Sequence, residues 1–270
     1  MRYLGSKRRF IKELLPILME HKNEADIFID AFMGGCNVIS EVPMEIKLGI
    51  ELNSYIASFW HNVKFMGSKI EEILPDEMSV ETYNKFKTQY INKTYNTSDK
   101  WFIGYVGSAL SFGGAWFNGL AKYNPKKNEN HVKEAKNGLL KQIKGWNNMD
   151  GTEFLCCSYD DDMAIQDFIW NKMFMKRRFK KESFSEIKSI IYCDPPYRST
   201  KSYESDFDHD KFWDWVRKKS KDNFVYVSEY DAPDDFKCVW EKDKKDSLGS
   251  SNRKNKDVLI NTEKLFTYNE

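Results

Sequence analysis

Ile190-Ile191-Tyr192-Cys193-Asp194-Pro195-Pro196-Tyr197 joins a short apolar run to a stiff polar turn. An apolar run of this length, closed by a turn signal, reads as a buried strand. Neither proline can donate to a sheet ladder, so the strand must stop at Asp194. The turn then presents the Asp194 carboxylate and the Pro195 carbonyl as acceptors, with the Tyr197 ring beside them. Two acceptors and a flat ring suit an exocyclic amino group on a planar base.

Outward from this strand, four more short apolar runs appear: Ile27–Ile29, Leu48–Ile50, Phe154–Cys157 and Phe224–Ser228, with Val258–Ile260 closing the chain. Helical patterns separate them. Ser6 can cap a helix over about Lys7 to His21, kinked at Pro16, and another runs through Tyr55, Phe59 and Val63. Short buried strands alternating with helices predict an α/β fold: a Rossmann-like, mostly parallel sheet with helices on both faces. Ligands in such folds sit beyond the C-terminal ends of the strands. Asp30 to Gly35, Glu51, Ser158 and Asp194 fall there. Residues 66–150, rich in Asn, Lys, Gly and aromatics, read as an inserted helical and loop subdomain. Residues 1–65 and 151–270 then form the main domain.

The chain has 270 residues with 42 basic and 41 acidic side chains, so its net charge of +1 alone gives no sign of a nucleic-acid partner. The charge is blocked rather than mixed. Residues 1–22 hold six basic against two acidic side chains, 122–144 seven Lys against two Glu, 172–181 six basic and none acidic, and 237–256 seven against three. Blocks of this kind can make one positive face. No run of about eighteen apolar residues occurs, so no membrane span is expected. The basic N-terminus lacks the apolar core and cleavage site of a secretion signal, which points to the cytoplasm. Five cysteines with no C-x-x-C spacing, and four scattered histidines, argue against a disulfide framework and against a metal site.

Asp30-Ala31-Phe32-Met33-Gly34-Gly35-Cys36 is a glycine turn after a strand, which lets backbone approach a ligand closely. Glu51 ends the next strand, where an acidic side chain can accept hydrogen bonds from ribose hydroxyls. With Asp194 third in order, the set reads as a site for a nucleoside-containing cofactor.

These residues resemble the Dam-type (D12 class) DNA adenine-N6 methyltransferases. Tyr3-Leu4-Gly5-Ser6-Lys7 is similar to the family's W-x-G-G-K segment, and Phe32-Met33-Gly34-Gly35-Cys36 to F-x-G-x-G. Leu48 to Asn53 matches the segment with the ribose-binding acid. Phe117-Asn118-Gly119-Leu120-Ala121-Lys122-Tyr123-Asn124 resembles the recognition segment Y-N-G-L-C-R-Y-N. Phe154 to Tyr159 resembles F-x-C-x-S-Y, Asp194 to Tyr197 is the D-P-P-Y motif, and Arg253 to Leu259 resembles R-K-K-x-x-E-x-L. The ordered matches cover nearly the whole chain. Cys36 replaces a loop glycine, Tyr3 and Ser6 replace Trp and Gly, and about twenty residues near 164–186 are additional.

The resemblance implies methyl transfer from S-adenosylmethionine to N6 of an adenine swung out of duplex DNA, by a chain that is a monomer when free. Asp194, Pro195, Pro196 and Tyr197 would form the catalytic motif. Tyr3, Lys7, Asp30, Phe32, Gly34, Glu51, Ser158, Tyr159 and Asp194 would line the cofactor. Arg2, Phe117, Asn118, Leu120 and Lys122 would meet DNA, with Phe117 as a wedge in the base stack. The family's GATC target is read with Arg where this chain has Lys122, and a Lys point charge lacks the two-pronged contact to guanine. Two other readings share parts of the pattern. Enzymes that methylate an amino group of ribosomal RNA also carry D-P-P-Y but lack the first segment and the recognition loop. A non-catalytic DNA-binding protein of the same fold would not need Asp194 and Glu51 intact.

Overall fold

The computed structural model of the chain describes residues 1–121, 129–171, 186–197, 207–245 and 260–269. Among these, seven strands form one sheet: β1 (Ile27–Asp30), β2 (Lys47–Ile50), β3 (Thr152–Leu155), β4 (Ser189–Cys193), β5 (Phe224–Glu229), β6 (Phe236–Lys245) and β7 (Ile260–Tyr268). The spatial order is β3-β2-β1-β4-β5-β7-β6. The first five are parallel to their neighbours, and β7 runs antiparallel between β5 and β6. The expected α/β class and the mostly parallel sheet are both present.

Alternate side chains divide each strand between two apolar layers. Phe28, Ile190, Tyr192, Tyr226 and Leu265 enter one cluster. Ile27, Ile29, Ile191, Cys193, Val225, Val227 and Phe266 enter the other. Helices α1 (Ile11–Leu18), α2 (Ser54–Met66), α5 (Lys100–Ser108) and α6 (His131–Lys144) cover the first face. Helices α7 (Asp162–Ile169) and α8 (His209–Ser220) cover the second. The short α3 (Ile70–Ile73) and α4 (Val80–Asn92) complete residues 66–150 before α6, and Trp101, Tyr105 and Trp146 from that stretch join the same core as the sheet. Gly104 lets α5 cross α2 closely, since a Cβ there would lie 2.3 Å from the Tyr55 carbonyl oxygen. Among the described residues no helix is long and apolar enough to cross a membrane.

Two local expectations change. Ser6 does accept from the Arg8 amide, but it caps a 3-10 turn over Lys7–Arg9, and the α-helix proper covers only Ile11–Leu18. Pro16 removes one main-chain donor, and the helix ends two residues later. The strand β6 was not legible in Phe236–Lys245 because half of it is charged. Charge of that kind is characteristic of an edge strand, which pairs on one side only. The closing strand starts at Ile260, and Val258 and Leu259 lie outside the described residues.

Candidate active site

The glycine turn, Glu51 and Asp194 all stand at the C-terminal ends of parallel strands: β1, β2 and β4 respectively. Glu51 clamps the turn to its own strand end. One carboxylate oxygen accepts from the Gly34 amide at 3.1 Å and the other from the Asn53 amide at 2.8 Å. Each oxygen keeps a further lone pair for a ligand donor. Burial pushes the Glu51 carboxyl up to about 7, against the pull of these amides.

The turn is held from three other sides. The Trp60 indole donates to the Gly34 carbonyl at 2.8 Å. Gln142 on α6 donates to the carbonyls of Gly35 and Cys36 at 3.1 and 2.9 Å. The Tyr3 ring fills the space over Gly34, where a Cβ would lie 2.5 Å from it. The backbone of Tyr3 and Leu4 packs on Gly114, whose carbonyl accepts from Leu4 at 3.2 Å, so the N-terminal segment joins this turn to the 111–120 loop. Cys36 takes a φ of 53°, the left-handed conformation a glycine would hold without strain. The turn stays tight with Cys36 in place, its thiol buried and protonated.

Asp30 is 2% exposed, and its Oδ1 has no hydrogen-bond partner. Burial raises its carboxyl to about 8, and the neighbouring Asp194 adds to the shift. Asp194 itself is raised by burial, opposed by Lys7. Lys7 is not the solvated helix residue its position suggests. It is 4% exposed, its ammonium donates to Asp194 Oδ1 at 2.8 Å, and it sits 4.6 Å from the centre of the Tyr197 ring. The Tyr197 hydroxyl donates to Glu263 Oε2 at 2.8 Å. Glu263 is on β7 and also lies 3.6 Å from Lys7. Sequence reasoning missed Glu263, Gln142 and Trp60. Nothing in their neighbourhoods marks them, because each acts on residues far away in the chain.

The remaining residues fall in two groups. Phe32 meets Tyr159 at 5.2 Å between ring centres, within a cluster that includes Phe207 and Phe212. Ser158 donates to Asp160. On the recognition side, Arg2 pairs with Glu134 at 3.6 Å, Asn118 is exposed and Leu120 half-buried. Phe117, the expected wedge, is packed inward in this structure. It is 5% exposed, with its ring stacked on Tyr90 and edge-on to Tyr83 and Trp116. Among the described residues the exposed aromatic of this loop is Phe112. Phe117 takes a φ of 45°, and burial of its ring against apolar neighbours favours this inward placement. Lys122, the basic run 172–181 and the segment Arg253–Leu259 lie outside the described residues.

Residues 3–233 match the family model of the D12 class N6 adenine-specific DNA methyltransferases. Among curated proteins, "Modification methylase StsI" of Streptococcus sanguinis is 26% identical over 212 residues, 74% of this chain and 28% of that protein. "Type II methyltransferase M.FokI" of Planomicrobium okeanokoites is 23% identical over 232 residues, 80% of this chain and 31% of that protein. The chain therefore spans less than a third of the length of these relatives.

Proposed function

The chain belongs to the D12 class of N6 adenine-specific DNA methyltransferases, and from that premise we propose that it methylates N6 of adenine at specific sites in duplex DNA, using S-adenosylmethionine. The observation that carries the reading is the meeting of Asp194, Tyr197 and Lys7 at the end of β4, beside the turn clamped by Glu51.

The donor set suits that cofactor. Asp30, Glu51 and Asp194 end three neighbouring strands, and burial raises the carboxyl of each. A ligand that brings hydroxyl donors and positive charge would satisfy the orphaned Asp30 oxygen and favour the ionised acids. Tyr3, Lys7, Phe32 and Gly34 would line it along the turn, Glu51 would take the ribose, and Ser158 and Tyr159 would stand at the base edge. Bound there, S-adenosylmethionine supplies a methyl group activated on a positively charged sulfur.

The chain's own task is to hold the acceptor amine. An adenine swung out of the duplex can lie on the Tyr197 ring. Its amino group then donates to the Asp194 carboxylate and the Pro195 carbonyl, which draws the nitrogen lone pair out of conjugation with the ring. The Asp194 charge also stabilises the amine as it becomes cationic. No side-chain nucleophile takes part. The buried thiols of Cys36 and Cys193 are pushed well up and stay protonated. Lys7 occupies one oxygen of Asp194 and leaves the carboxylate further acceptor sites for the amine. The stretch 66–150, with Arg2, Asn118, Leu120 and Lys122, would read the duplex.

The test is sequencing that detects N6-methyladenine in DNA from cells expressing the chain. Methylated adenine in one recurring sequence context is the expected result, and the same cells carrying Asp194→Ala should lack it. Methyl uptake into ribosomal RNA instead of duplex DNA would overturn the reading.

A further inference from the structure

We propose that Glu263 is a positioning residue for Tyr197, reaching the active site from a strand that the family match does not include. The inference rests on the methyltransferase reading above.

The match ends at residue 233, before β6 and β7. Since β7 is antiparallel to β5, its early residues lie beside the late residues of β5, with Lys264 paired to Glu229. That reversal brings Glu263 to the same rim as Asp194. Strand alternation puts it on the face of Leu265, which is the face that also carries Tyr192 and Tyr226. Glu263 is 2% exposed. Burying a carboxylate costs free energy unless it is paired and hydrogen-bonded. Here the Tyr197 hydroxyl donates to Oε2 at 2.8 Å and the Lys7 ammonium stands 3.6 Å away.

The consequence for Tyr197 is geometric. Its backbone follows two prolines, which stiffen one end of the residue. Glu263 holds the other end by the hydroxyl, and Tyr230 meets the ring edge-on at 4.5 Å. A ring fixed at both ends presents a defined face beside Asp194. Glu263 touches neither substrate nor cofactor in this scheme and acts through Tyr197.

The experiment measures steady-state methylation of a duplex oligonucleotide that carries the target site. The variants are Glu263→Ala, Glu263→Gln, Tyr197→Phe and the double variant Glu263→Ala with Tyr197→Phe. Cofactor affinity by calorimetry and urea denaturation are measured alongside. Glu263→Ala should lower kcat about tenfold or more and leave cofactor affinity within about twofold. Glu263→Gln, which keeps an acceptor for the hydroxyl, should recover most of the rate. In the Tyr197→Phe background the Ala change should cost less than about twofold, and the urea midpoints should be non-additive in the same way. Rate losses that multiply, or a Gln variant as slow as the Ala variant, would overturn the proposal. An inactive wild-type chain would instead overturn the methyltransferase reading, while the urea cycle would still report whether Glu263 holds Tyr197. Gln and Phe are near-isosteric, so those variants serve if the Ala variant does not fold.

Discussion

Lys7 Nζ and Asp194 Oδ1 stand 2.8 Å apart across 187 positions of sequence. The contact ties the first turn of the chain to the end of the central strand. It places a cation on one oxygen of the carboxylate that the proposed mechanism gives to the substrate amine. The ammonium also works against the burial that raises the Asp194 carboxyl.

Replacing Lys7 by Gln should therefore raise the Asp194 carboxyl further. The ionised form is the stronger acceptor and carries the charge that stabilises the amine as it becomes cationic, so the acid limb of the rate profile should move to higher pH. The loss should be largest below pH 7, about tenfold or more, and should shrink as the medium becomes alkaline. A rate profile of methyl transfer against pH checks this, with cofactor affinity measured in parallel. An acid limb that stays in place would show that Lys7 does not tune Asp194.

Glu51 links pH to stability. Its carboxyl stands at about 7 in the fold against an ordinary 4.5. Between those values the folded chain holds the proton that the unfolded chain releases, so raising pH through the window weakens the fold. Glu51→Gln cannot titrate. Its stability relative to the parent should rise by about 2–3 kcal/mol between pH 5 and 8. Urea denaturation at several pH values measures the difference. Cofactor affinity of the parent should rise with pH through about 7, and the Gln variant should lose the part of that rise that Glu51 contributes while keeping the part due to Asp30, whose carboxyl stands at about 8.

The left-handed backbone at Cys36 makes a third prediction. A side chain at a φ of 53° costs about 1–2 kcal/mol. Cys36→Gly removes that cost while losing the packing of one small buried side chain, so its thermal midpoint should stay close to the parent's. A β-branched residue fits this conformation worst, so Cys36→Val should be destabilised by about 2 kcal/mol or more. Equal midpoints for the two variants would contradict the observed turn.

Phe117 and Phe112 separate packing from surface. Phe117→Ala should cost about 3–5 kcal/mol, because its ring is buried among Tyr83, Tyr90 and Trp116. Phe112→Ala should change stability by less than about 0.5 kcal/mol, since its ring is 58% exposed. Chemical denaturation measures both. A mild Phe117→Ala would mean that the ring is not a core residue.

The strand ends that carry the candidate site were legible before the fold. Asp194 could be placed because Pro195 and Pro196 forbid the strand to continue, and a strand end in this fold class is a ligand position. Glu51 and the Gly34 turn followed from the same rule applied to β2 and β1. Lys7 was legible as a site residue only through family resemblance, since its local context reads as a solvated turn. The expected role of Phe117 came from its motif alone, and no pattern along the loop encodes the packing of its ring on Tyr90. The edge strand β6 was hidden because its alternation is broken by charge, the feature that protects an exposed edge.

The sequence by itself determined the strand ends, and with them Asp30, Glu51 and Asp194. Those are local matters: a run of apolar residues, a proline or glycine that stops it, and an acid at the boundary. Only the tertiary structure decided which distant groups meet these acids. Lys7 reaches Asp194, Gln142 reaches the glycine turn, and Glu263 reaches Tyr197. These pairings depend on sheet order and on the reversed direction of β7. No pattern along one strand encodes them, because a hydrogen bond between residues far apart leaves no period or spacing in either neighbourhood.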